Sequence, residues 1–238
     1  MQSAATRPDL DEPTATGQPA GSTPLFLVHD ETCSPEHVAA LARHLCGPAA
    51  LCPLSGWSGP QSGLRTVEGI ALRLARRILA VQPAGPYRLA GWALGGILAY
   101  EVAGLLLGRD QSVEFLGWIH PAGQPPDATS AGAFGAGDEW VHRAARRYVP
   151  PPLPVAVHLF TGKEAHGAGP WQAWGTAEPK TALRTIRVEE SAFPGGGPDP
   201  EALAAALAGE VRGAGGRKTA EPEERLSPVF PLRFKGSR

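Results

Sequence analysis

One segment constrains the fold of this 238-residue chain more than any other. Tyr87-Arg88-Leu89-Ala90-Gly91 reads as the end of a strand that starts at Pro86, and Ile97 to Leu107 reads as a helix closed by Gly108. Only Trp92-Ala93-Leu94-Gly95-Gly96 lies between them. A turn that sharp presses strand and helix backbones together, and the residues around it must lack side chains. Gly91, Gly95 and Gly96 meet that demand on either side of Ala93.

The rest of the chain repeats the alternation of strand and helix. Leu25 to Val28, Ala50 to Cys52, Val113 to Ile119, Val155 to Phe160 and Leu183 to Val188 are short apolar runs and read as strands. Ser34 or Pro35 opens a helix with Val38, Leu41 and Leu45 on one face. Thr66 caps a helix that turns Val67, Ile70, Leu74 and Ile78 inward and Arg73, Arg76 and Arg77 outward. Glu201 to Val211 is a last helix with Leu203, Leu207 and Val211 inward. Strands this short and apolar, separated by helices, imply an α/β fold: a mostly parallel sheet with helices on both faces.

Glycine (30) and proline (25) are abundant enough to suggest low complexity, but they are unevenly placed. Some fall in residues 1–23, expected to be a disordered leader or linker, and in 213–238, expected to be a flexible tail. That tail carries an apolar patch of Val229, Phe230, Leu232 and Phe234. Between them, 24–212 is the expected domain. Within it, 121–152 breaks the rhythm with Gly, Pro and Ala, a helical piece from Trp140 to Tyr148, and Pro150-Pro151-Pro152. An insertion after a strand's carboxyl end tends to overhang the ligand crevice, so this is the expected lid.

Composition narrows the function classes. With 22 basic and 23 acidic side chains the net charge is -1, which gives no sign of nucleic-acid binding. Cys33, Cys46 and Cys52 have neither disulfide-framework nor zinc spacing. No apolar run approaches the ~18 residues that span a bilayer, and the polar start lacks the apolar core of a signal peptide. The expectation is a cytoplasmic protein with no metal and no membrane; oligomeric state is not legible.

The turn around Ala93 has the G-x-S-x-G elbow pattern with alanine where serine should stand. Four pieces make the likeness specific. They are Pro24-Leu25-Phe26-Leu27-Val28-His29, the run Val81-Gln82-Pro83-Ala84-Gly85-Pro86-Tyr87, the elbow with Ala99-Tyr100-Glu101, and Trp174-Gly175. Over about residues 24–212 the chain resembles the thioesterase domains of nonribosomal peptide and polyketide synthases, in the α/β-hydrolase superfamily. The resemblance implies an α/β-hydrolase-like fold and a partner. That partner is an acyl or peptidyl carrier protein, contacted through its phosphopantetheine arm, or another biosynthetic enzyme. No resident cofactor is implied.

The resemblance also implies a Ser-His-Asp triad, and each place departs from it. The nucleophile's place holds Ala93, whose methyl cannot be acylated. The acid's place after Val113–Ile119 holds His120, with Asp127 and Asp138 further on. The base should follow the last strand, but no histidine occurs after His166, and Gly195-Gly196-Gly197 fills the loop. The oxyanion loop reads His29-Asp30-Glu31-Thr32-Cys33 in place of a glycine-rich turn, and two carboxylates there oppose a developing negative charge. Loss at all four places favours drift or repurposing over a single engineered knock-out at Ala93.

The substrate and oxyanion region therefore comprises His29, Asp30, Glu31, Cys33, Trp92, Ala93 and Leu94. Cys33 reads first as a small buried thiol, with a displaced nucleophile as the alternative. His120 reads first as a packed strand-end residue. Its alternative is the base of a repurposed cyclase or acyl-transfer enzyme, with Asp30 or Glu31. His29 reads as a structural cap of the first strand. Arg143, Arg146 and Arg147, beside His142, form a basic face that is either solvated or a dock for an acidic carrier protein. The reading that follows is a thioesterase-like domain that binds a carrier-tethered chain without classical hydrolysis.

Overall fold

The computed structural model describes residues 23–29, 33, 35–45, 51–55, 66–119, 143–145, 147–162, 182–189 and 198–215. Among the described residues six strands make one sheet: β1 (Leu25–Val28), β2 (Leu51–Leu54), β3 (Tyr87–Trp92), β4 (Val113–Ile119), β5 (Val157–Thr161) and β6 (Leu183–Arg187). Among the described residues these helices accompany them: α1 (Pro35–His44), α2 (Val67–Val81), α3 (Gly95–Leu107) and α4 (Pro200–Gly215). The strand order is β2-β1-β3-β4-β5-β6. Every neighbouring pair is parallel.

Alternation along each strand divides the core in two. Phe26, Val28, Leu89, Leu116, Trp118 and Leu159 lie on the face covered by α2 and α3. Leu25, Leu27, Ala90, Trp92, Phe115 and Phe160 lie on the face covered by α1 and α4. Burial on both faces is what parallel crossovers impose, and it explains why the strands read as unbroken apolar runs.

The expected inward residues of α2 and α4 are buried as the helical period requires. Thr66 Oγ1 accepts from the Gly69 amide at 3.1 Å, so the expected cap stands. At α4, Asp199 Oδ1 accepts from the Glu201 and Ala202 amides at 3.0 and 2.9 Å. Pro200 follows at the first helical position, where its missing N–H costs nothing. The helix accordingly starts one residue before its expected position and runs on past Val211. Arg77 is not fully wet as expected: its Nη1 donates to the Ser55 carbonyl at 2.7 Å, tying α2 to the end of β2. β2 runs further than Ala50–Cys52, through Pro53, because it is an edge strand and one side of its ladder is free.

α3 is apolar except for Glu101, and Gly95 through Tyr100, Val102, Ala103 and Leu106 are all buried. A helix with no wet face needs cover on both sides. β1, β3 and β4 lie under it, and a strap of residues 143–145 and 147–155 touches it through Tyr148, Pro151 and Leu153, while Ala144, Ala145 and Val155 pack against the same core cluster. Tyr100 Oη donates to the Pro151 carbonyl at 2.6 Å, and Leu153 sits against Gly104. The rest of the expected lid, from 121 to 142, lies outside the described residues, as do most of the expected leader and tail.

Candidate functional site

The sheet's topology selects one place. The chain leaves β1 toward β2 on one side and returns to β3 on the other, so the order reverses between β1 and β3. Ligand crevices of open α/β sheets form at the carboxyl ends of the strands flanking such a reversal. Those ends are Val28-His29 and Trp92-Ala93. The segment singled out by its glycines therefore lands at the switch point.

Ala93 stands in the left-handed region at φ 48°. An L-residue there costs roughly 1–2 kcal/mol relative to the right-handed region. The surroundings hold it there. Its amide donates to the Ile119 carbonyl at 3.0 Å, and its carbonyl accepts from the Gly96 amide at 3.1 Å. The Trp118 indole N–H donates to that same carbonyl at 2.7 Å. Each glycine has its own reason. A Cβ on Gly91 would meet the Gly95 carbonyl oxygen at 2.1 Å, and one on Gly95 would meet the Val28 carbonyl oxygen at 2.2 Å. A Cβ on Gly96 would fall within 2.1 Å of the Trp118 ring. Trp118 is thus both wall and hydrogen-bond donor. A buried Trp N–H needs a partner, and this one finds it in the elbow.

Leu94 follows the elbow and caps α3 at φ -62° and ψ -28°. Among the described residues no group accepts from its amide. The amide after the elbow residue, at the positive end of a helix, is a place that favours an anion. What the elbow lacks is a side chain with chemistry: Ala93 offers a methyl, buried to 9% exposure.

His29 flanks this point. Its amide donates to the Leu54 carbonyl at 3.2 Å, which makes it the link between the ends of β1 and β2. Cys33 is buried in the same apolar cluster as Trp92 and Ala93. Cys52 is fully buried, and burial pushes its thiol up to about 11 against the pull of Arg77. Thiolate chemistry has no support there. Asp30, Glu31, His120 and Arg146 lie outside the described residues. The acid/base set of a repurposed enzyme is therefore not brought together by any described contact. Among the described residues no group of three His, Cys, Asp or Glu side chains could hold a metal ion, and no helix is long and apolar enough to cross a membrane.

Arg143 and Arg147 are exposed and line a cleft of about 380 Å³. Its other wall is the head of α2, from Thr66 to Glu68. At the cleft's edge Tyr148 Oη donates to Glu101 Oε2 on α3. Burial raises the Glu101 carboxyl above its usual range, the Tyr148 hydrogen bond lowers it, and the charge of Glu68 raises it further. Burial likewise raises the Tyr148 phenol, helped by its hydrogen bond to Glu101 and by that carboxylate's charge. Sequence reading did not join Glu101 to Tyr148. A carboxylate on an otherwise apolar helix was the available signal, since a half-buried charge must find a donor.

A second polar cluster lies away from the switch point. His158 Nδ1 on β5 is 3.0 Å from Glu210 Oε2 on α4, and Arg184 of β6 reaches the same oxygen at 3.2 Å. It ties α4 to the sheet.

Comparison with known proteins agrees with this geometry. The family model described as thioesterase domain matches residues 23–143. Microperfuranone synthase of Emericella nidulans is 35% identical over 100 residues, which is 42% of this chain and 11% of that protein. Vanchrobactin synthetase of Vibrio anguillarum is 33% identical over 114 residues, 44% of this chain and 4% of that protein. The chain thus spans a small part of the curated relatives it matches. Among solved structures, the NocB thioesterase domain in covalent complex with a fluorophosphonate nocardicin G analog superposes with a TM-score of 0.60 at 21% identity, covering 83% of this chain and 96% of that one. That likeness is one of fold. With the match spanning half of its length and including the elbow, the chain belongs to the thioesterase domain family.

Proposed function

We propose that this chain serves nonribosomal peptide or polyketide assembly in the cytoplasm. In this reading it holds a carrier-tethered acyl or peptidyl chain and does not cleave it through a serine triad. One observation carries the reading. The elbow keeps its left-handed turn, its packed glycines and a helix-head amide, yet ends in the methyl of Ala93. Binding geometry and nucleophile are separable, and the elbow keeps the first without the second. The exposed Arg143 and Arg147 at the cleft support a carrier protein as partner, because its acidic surface and pantetheine phosphate would pair with guanidinium groups. The synthase relatives support the same setting. No resident cofactor enters this reading.

The test is hydrolysis of an acyl-pantetheine thioester beside binding of a carrier protein loaded with a non-hydrolysable acyl amide. The expected result is saturable binding, weakened by Arg143→Glu with Arg147→Glu, and no turnover. A rate enhancement above about 10³ would refute the reading, since positioning without a nucleophile hardly supplies it. Ala93→Ser should remain unlabelled by a fluorophosphonate; strong labelling would instead mark a serine enzyme disabled at one atom.

A further inference from the structure

The strap over α3 contains Val149-Pro150-Pro151-Pro152-Leu153-Pro154. None of these residues is in a helix or strand. Proline holds φ near -65°, and a residue before proline is driven to extended ψ. Both conditions hold from Val149 to Leu153, ahead of the bend at Pro154 and Val155, so this stretch's own chemistry selects the left-handed polyproline helix of three residues per turn. Burial follows that period. Leu153 is 6% exposed and Pro150 is half-buried, three residues apart, on one edge. Val149, Pro151, Pro152 and Pro154 are exposed, and Val149 is 84% exposed.

A helix with three residues per turn is a triangular prism. A groove that recognises it grips two edges and leaves the third outside. Here the third edge is the one used by the domain. Two edges face solvent, one through Val149 and Pro152, the other through Pro151 and Pro154. Tyr100 fixes the Pro151 carbonyl, Leu153 seats on Gly104, and Tyr148 is tied to Glu101 just before the run. The ordering entropy that a free proline-rich peptide must lose has been lost on folding.

We propose that this strap is an interaction surface for a partner domain whose groove is lined by aromatic rings. Proline rings and the Val149 side chain would stack between those rings. Exposed Arg147, just ahead of the run, adds a cation, so the fitting groove has an acidic rim. The proposal goes beyond the carrier-protein reading and does not depend on it.

The test titrates the full chain against an array of isolated WW and Src-homology domains, read by fluorescence anisotropy. At least one groove with an acidic rim should bind with a micromolar Kd. Pro152→Ala with Pro154→Ala should weaken it about tenfold or more, as truncation at the centre of an interface does. Both prolines are exposed, so the melting temperature should hold within a few degrees, and a melt of the variant checks this. Binding by no domain in the array overturns the proposal. So does binding that survives the proline substitutions, or that is lost with Arg147→Glu alone while indifferent to the prolines, which marks simple charge attraction.

Discussion

The elbow and the strap are neighbours on α3 but are held by different means. At the elbow, backbone meets backbone: Gly91 against Gly95, and Gly95 against Val28. At the strap, side chains do the holding: Tyr148 to Glu101, Tyr100 to Pro151, Leu153 over Gly104. Backbone contact tolerates no added atom, because neither partner can rotate away. Side-chain contact is adjustable and can be coupled to pH. The family's geometry is kept in the region held by backbone contact.

The largest expected effect is at the rigid region. Gly95→Ala places a methyl 2.2 Å from the Val28 carbonyl oxygen and must displace β1 or α3. The loss should be about 3 kcal/mol or more, the upper range for overpacking, read by urea unfolding. A variant with an unchanged midpoint would break the distinction between the two regions. Trp118→Phe comes next. It keeps most of the wall but removes the indole donor from the Ala93 carbonyl, which retains the Gly96 amide. The cost should be about 1–3 kcal/mol.

Strap variants should cost less. Tyr148→Phe removes the donor to Glu101 and should cost about 1 kcal/mol. It should also open the strap, read as faster amide exchange in 143–155 before global unfolding. The pH dependence has a definite sign. The folded Glu101 carboxyl sits above its usual 4.5, so the folded state holds its proton more tightly than the unfolded state does. Stability from this group is therefore present below about pH 4.5 and is lost as pH rises through the folded value. Glu101→Gln should flatten that slope in melts across the acid range, and a slope that persists would place its origin elsewhere. The smallest effect is Ala93→Gly. It relieves the left-handed strain and should be neutral or stabilising by up to about 1 kcal/mol.

Much of the fold was legible because its signals are local. Thr66 caps α2, Leu203, Leu207 and Val211 keep helical spacing, and Leu25 to Val28 can only be a buried strand. The elbow was legible for the same reason, since a chain turning straight from strand to helix must remove side chains where it touches itself. The strap's contacts were not legible. Sequence reading assigned 121–152 to a lid by its irregularity, but the partners of Tyr148 and Pro151 lie about fifty residues earlier on α3. Pairings over such distances leave no periodicity to read. Arg77 was missed likewise, because its partner Ser55 lies 22 residues earlier, just past the end of β2.

By itself, the sequence determined the layered parallel sheet, the glycine-packed elbow and the absence of a nucleophile at residue 93. Each follows from local sterics or from what a methyl group cannot do. Tertiary structure alone decided that this elbow falls where the strand order reverses and that Trp118 clamps it. It also decided which edge of the proline run faces the domain. Those facts depend on which distant segments share a surface, and that is set by how the whole chain packs.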